Sequence, residues 1–124
     1  MDEKAFDWKA TIDDNIRTGF TELLILQVLS ENDTYGYEMR KAINERTKGA
    51  FSFVESSLYI PLLRMASRGL ISSRKEIVTG KRFRTYYHIE DKGVEYLKYG
   101  KEQCKFVFAG ILNMLGRDNQ NGKE

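Results

Sequence analysis

Leu70-Ile71-Ser72-Ser73-Arg74-Lys75-Glu76-Ile77 and Arg82-Phe83-Arg84-Thr85-Tyr86-Tyr87-His88-Ile89 flank the short stretch Val78-Thr79-Gly80-Lys81. Two β-prone runs around a glycine turn predict a hairpin. The second run alternates. Phe83, Thr85, Tyr87 and Ile89 share one face, and Arg82, Arg84, Tyr86 and His88 share the other. Residues 72–88 hold Arg74, Lys75, Lys81, Arg82 and Arg84 against Glu76 alone, so the hairpin is a basic edge.

Three helical patterns precede this hairpin. Thr11-Ile12-Asp13-Asp14 places an acid three residues after a hydroxyl, which marks a helix start. Ile16, Phe20, Leu23, Leu24 and Val28 then recur at helical spacing, predicting a first helix to about Leu29. Asn32-Asp33-Thr34 is turn-prone and suited to cap a second helix, which carries Tyr35, Met39, Ala42 and Ile43 and ends near Lys48-Gly49. Phe51-Ser52-Phe53-Val54 is short and strand-like. A third helix spans about Glu55 to Ser67, with Leu58, Leu62 and Met65 as its inner stripe and Gly69 as its stop. Beyond the hairpin a last helix starts near Asp91. Its Leu97, Cys104, Phe108, Ile111 and Leu115 form a heptad-like seam interrupted at Lys101.

Three helices, a hairpin and a long helix form the order of a winged helix-turn-helix. The expected fold is therefore mainly α (α+β), with a two-stranded β-wing and a long C-terminal dimerisation helix. In that arrangement the third helix enters a major groove. Charge agrees: residues 1–33 carry eight acids and three bases, residues 34–88 four acids and eleven bases, and residues 89–124 six of each. A basic middle suits a polyanion-binding module. The expected division is an N-terminal segment over 1–11 packing on the dimer interface, a DNA-binding domain over 12–90, a dimerisation helix over 91–116 and a polar tail over 117–124.

Several function classes fall away. The single Cys104 excludes an intramolecular disulfide and a cysteine-rich zinc site. His88 is the only histidine, and no nucleophile or acid is spaced for catalysis around it. Gly-rich phosphate loops and metal-ligand clusters are absent, so no enzyme, metal or cofactor is expected. No apolar run is long enough to span a bilayer. Met1-Asp2-Glu3-Lys4 lacks the apolar core of a signal peptide, so a cytoplasmic location is expected.

Three stretches carry a family likeness. Tyr35-Gly36-Tyr37-Glu38-Met39 is similar to a His-Gly-Tyr-Glu-Ile motif at the start of a second helix. Ser57-Leu58-Tyr59-Ile60-Pro61-Leu62-Leu63-Arg64-Met65, followed by Gly69-Leu70-Ile71, is similar to a recognition helix and its exit. Gly80-Lys81-Arg82-Phe83-Arg84-Thr85-Tyr86-Tyr87-His88-Ile89, followed by Gly93, is similar to a wing and the start of the last helix. In this combination the chain resembles the PadR family of transcriptional regulators, in its short form with a single C-terminal helix. Tyr35 stands where the family has His, Val54 where it has a capping residue, and Glu90 where it has Thr. Pro61 falls one place later than the family's proline, so far inside a helix that a bend is expected there.

The resemblance implies a homodimer with C-terminal helices packed on the partner. A two-fold dimer presents its recognition helices roughly 34–36 Å apart and reads an inverted repeat in double-stranded DNA. Candidate DNA contacts are Tyr37 and Tyr59, whose hydroxyls reach phosphate if their rings are not simply core. Ser56 and Ser57 serve phosphate or cap the helix, and Arg64 serves phosphate or solubility. Lys81, Arg82 and Arg84 cluster at the wing tip with no nearby acid. Leu97, Cys104, Phe108, Ile111 and Leu115 form the candidate dimer seam. Short sensing members stack planar ligands on a tryptophan of the last helix. That position falls near Cys104 here, and the only tryptophan is Trp8. The candidate pocket for a small-molecule effector is Trp8, Tyr99, Cys104 and Phe108, unless Trp8 with Phe6 merely fastens the N-terminal segment to the dimer. Two other functions compete: a winged-helix protein-interaction module without DNA binding, whose wing would expose apolar residues, and a small-molecule carrier.

Overall fold

The structure, a computed structural model, describes residues 5–116. The polar tail over 117–124 lies outside the described residues. Helix α1 spans Trp8–Arg17 and α2 spans Thr21–Glu31, separated by a 3-10 turn at Thr18–Phe20. One continuous helix from Thr11 is therefore corrected to two. Asp7, not Thr11, is the cap: its carboxylate accepts from the Ala10 N–H at 3.1 Å, while Thr11 lies inside α1. The break falls where Thr18 turns its hydroxyl back onto the Asp14 carbonyl and Gly19 follows, a local pairing that competes with a regular ladder. No residue of α1 is buried.

After α2 the chain extends into β1 (Thr34–Tyr35) and then α3 (Gly36–Arg46). The polar triplet read as a helix cap does not cap: Asp33 turns to Arg74 and His88 instead. Arg46 donates two hydrogen bonds, of 2.7 and 2.8 Å, to Glu31, tying the ends of α2 and α3. With Gln27 it draws the Glu31 carboxyl down to about 2. Phe51-Ser52-Phe53-Val54 is not a strand. Phe51 and Phe53 pack against the core and each other, with ring centroids 6.0 Å apart, rather than joining a ladder.

A 3-10 turn at Glu55–Leu58 leads into α4 (Tyr59–Ser67). Pro61 is the third residue of α4, where the N–H would lack an α-helical partner in any case. The helix type changes two residues earlier, between Leu58 and Tyr59. β2 (Ile71–Thr79) and β3 (Arg82–Ile89) form the wing, joined through Gly80 in the left-handed region at φ 52°. Pairing runs from Ile71↔Ile89 to Thr79↔Arg82 and slips between Ile77 and Thr79. β1 adds to the other side of β3, with Thr34 opposite Tyr87 and Tyr35 opposite Tyr86. The sheet is thus three-stranded, in the order β1-β3-β2, and the two-stranded wing is its protruding part.

Helix α5 spans Asp91–Leu115. It leaves β3 so close to the end of α4 that any Cβ on Gly93 would collide with the Leu70 carbonyl oxygen and Ile89. One core holds these elements together: Ile25, Leu26 and Leu29 of α2, Met39 and Ile43 of α3, then Leu58, Leu62, Met65, Leu70, Ile71 and Leu97. Leu97, read as the first rung of a partner-facing seam, is only 5% exposed and belongs to this intramolecular core. The seam is corrected accordingly. Its exposed part holds Phe108, Ile111 and Leu115, with Cys104 half-buried.

Candidate nucleic-acid interface

A cleft of about 520 Å³ opens between the start of α3, the 3-10 turn before α4 and strand β3 of the wing. Tyr37, Tyr59, Arg82 and Arg84 all line it, together with Tyr35, Phe83, Thr85 and Tyr87. The alternation of β3 sends Arg82 and Arg84 to the same side of the strand. The guanidinium of Arg84 stacks 3.9 Å over the Tyr35 ring, and Tyr35 in turn lies 5.3 Å from Tyr86. Arg74 closes this stack at 5.4 Å from Tyr86. Arg40, one helical turn beyond Tyr37, lies 5.2 Å from the Tyr37 ring. Burial, with Tyr59 nearby, pushes the Tyr87 hydroxyl above its ordinary value, so it remains a hydrogen-bond donor.

The charges divide into two groups. Arg74 is taken up by Asp33 at 2.7 Å and Glu76 at 2.6 Å. Among the described residues no acid lies within ion-pair distance of Lys81, Arg82 or Arg84. Glu55 is the one acid lining the cleft, lying beside Gly36.

Arg64 stands apart from the cleft. It donates to Glu22 at 2.8 Å, and Glu22 also accepts from the Tyr96 hydroxyl at 2.9 Å. Ser57 donates to the Val54 carbonyl at 2.7 Å, a local turn closure, while Ser56 is exposed. Tyr35, Arg40, Phe83 and Thr85 were not singled out from sequence. Arg40 was within reach, since it follows Tyr37 at helical i+3 spacing.

On the opposite side, Phe20 and α5 bound two apolar grooves of about 430 Å³ each. Tyr99, Cys104, Val107 and Leu23 line one, and Ile16, Phe51, Cys104 and Phe108 line the other. Cys104 belongs to both. The candidate effector pocket is thus split in two, and Trp8 lines neither groove; it sits 55% exposed on α1. The apolar residues of α1 (Trp8, Ile12, Ile16) and of outer α5 (Phe106, Ile111, Met114, Leu115) are uncovered. Among the described residues no group of three metal-ligating side chains occurs, and no helix is long and apolar enough to cross a membrane.

Residues 25–99 match the profile of the Transcriptional regulator PadR-like family. An uncharacterised protein of Lysinibacillus sphaericus is 32% identical over 83 residues, covering 67% of this chain and 76% of that protein. Transcriptional regulator YqjI of Escherichia coli is 29% identical over 89 residues, covering 72% of this chain and 41% of that protein. Among solved structures, a transcriptional regulator from Clostridium thermocellum is 29% identical with a TM-score of 0.75, covering 82% of this chain and 99% of that one. Bacillus subtilis PadR in complex with operator DNA is 25% identical with a TM-score of 0.58, covering 62% of this chain and 44% of that one. The profile covers more than half the sequence, so the chain belongs to the PadR-like family of transcriptional regulators.

Proposed function

We propose that the chain is a homodimeric, sequence-specific DNA-binding repressor that reads an inverted repeat in the cytoplasm and responds to a small-molecule effector. The observation that carries this reading is the cleft where Arg82 and Arg84 stand beside Tyr37 and Tyr59, with Lys81 at the turn and, among the described residues, no acid paired to the three cations. Guanidinium and ammonium groups on a wing neutralise phosphate, and tyrosine hydroxyls donate to it. Bacillus subtilis PadR, solved in complex with operator DNA, supports DNA as the partner. The bare apolar faces of α1 and outer α5 support dimerisation, because none of the described residues covers them. The two grooves beside Phe20 meet that face and offer an apolar site for an effector. A dimer seated across its operator represses by excluding polymerase.

The protein-interaction reading draws on a different observation: Ile77 and Phe83 on the wing are also exposed. Selection of bound duplexes from a random pool with purified protein separates the two. Enrichment of an inverted repeat with half-sites about one helical turn apart is expected. Recovery of no preferred sequence, with binding insensitive to salt, overturns the DNA reading.

A further inference from the structure

The outward face of α4 has an unusual chemistry for a recognition helix. Leu58, Leu62 and Met65 point into the core, and Tyr59 turns into the wing cleft. Arg64 is held by Glu22 at 2.8 Å, and Arg68 leans toward the same carboxylate at 3.9 Å. Helical spacing then leaves Ser56, Ile60, Leu63 and Ser67 facing away from the core, with Ile60 59% and Leu63 50% exposed.

Reading the major groove takes particular groups. Arg or Lys takes guanine O6 and N7, and Asn or Gln takes adenine N6 and N7. Between Glu55 and Ser67 there is no Lys, Asn or Gln, and the sole Arg is engaged elsewhere. What remains is the hydroxyls of Ser56 and Ser67 and the branched apolar side chains of Ile60 and Leu63, of which Ile60 lies nearer the start of the helix. The one apolar group that base pairs present in the major groove is the thymine 5-methyl.

We infer that Ile60 is a specificity-determining residue that reads thymine in each operator half-site by apolar contact with its 5-methyl group. The occupant of this exposed face is thus the DNA major groove, because Ile60 directly follows Tyr59, which lines the cationic cleft together with Arg82 and Arg84. The inference rests on the DNA-binding reading proposed above.

Deoxyuridine tests it directly, since it differs from thymidine only by that methyl. In the selected operator each thymidine is replaced in turn, symmetrically in both half-sites, and affinity is followed by fluorescence anisotropy. One pair of replacements should weaken wild-type binding by about fourfold per half-site, the worth of one buried methyl-sized group. The same replacement should leave Ile60→Ala unaffected, while Leu63→Ala stays sensitive. Circular dichroism checks that both variants are folded, as expected for exposed positions. Wild-type affinity unchanged by every replacement would overturn the inference. Sensitivity retained in Ile60→Ala would overturn the assignment to that residue. Failure to select any operator would instead strike the DNA-binding reading beneath it, at an earlier step.

Discussion

The guanidinium of Arg84 lies 3.9 Å over the ring of Tyr35, joining the wing to the junction between α2 and α3. A wing on a two-residue turn would otherwise swing freely. Here it is pinned near its root by a stack from Arg84 through Tyr35 and Tyr86 to Arg74. Tyr35→Phe keeps the ring and should behave like wild type. Tyr35→Leu removes the π face and should lower unfolding free energy by about 1 kcal/mol and weaken DNA binding several-fold. Urea denaturation and anisotropy titrations measure both; indistinguishable Phe and Leu variants would refute the role of the stack.

The cations at the wing tip should supply affinity without much selectivity. Replacing Lys81 and Arg82 together by Ala should weaken binding to all duplexes alike. Each lost phosphate contact should flatten the dependence of log affinity on log salt by about one unit per half-dimer. Wild-type affinity and slope in this variant would remove the wing from the DNA backbone.

Outer α5 should hold the dimer. Ile111→Asp, alone and with Phe108→Asp, places unpaired charge where a partner must desolvate it. Sedimentation equilibrium should show monomers in both. The single variant is the cleaner test, because Phe108 also packs on Phe20 at a ring separation of 5.4 Å. An intact dimer in either would place the interface elsewhere.

Gly93→Ala drives a methyl into the Leu70 carbonyl and Ile89. The backbone at Leu70, just before β2, cannot yield without disturbing Ile71 in the core, so a loss of about 1–3 kcal/mol is expected. Thermal unfolding should show a clearly lowered midpoint. A wild-type midpoint would mean that α5 docks with slack.

His88 and Asp33 join β3 to the loop after α2 at 2.8 Å. The hydrogen bond to Asp33 raises the His88 pKa above its ordinary 6.5, and the same bond lowers Asp33 below 3.8. The raised His88 value means that its stabilisation is complete below 6.5 and disappears as pH rises through the folded value. The depressed Asp33 value means that the carboxylate's share is lost as pH falls below the ordinary range. Wild type should therefore exceed His88→Gln most in stability near about pH 5.5 and least near about pH 8.5, as read by urea denaturation. An advantage constant across that span would show that the pair does not titrate as a unit.

Much of this architecture was legible because it is local. The alternation of Arg82 to Ile89 announced the wing, and the spacing of Leu58, Leu62 and Met65 announced α4. What escaped depends on partners distant in sequence. Thr34 and Tyr35 form a strand only because β3 lies beside them, and no two-residue pattern foretells that. Arg64 read as a cation available to phosphate until Glu22, 42 residues away, claimed it. Leu97 fitted a heptad seam and a core position equally well, and only the docking of α5 on α2 decides between them. Trp8 sits on a helix that covers none of its own apolar face, so sequence spacing alone could not place it against α5.

The seating of Gly93 and Leu97 makes the first turns of α5 one solid piece with the DNA-reading head. From Leu97 to Leu115 the helix then reaches about 27 Å as a rigid arm. In a dimer joined at the outer ends of two such arms, a tilt of about 5° at the joint would displace each reading head by roughly 2 Å over that length. A change confined to the joint would be carried along that length to the operator.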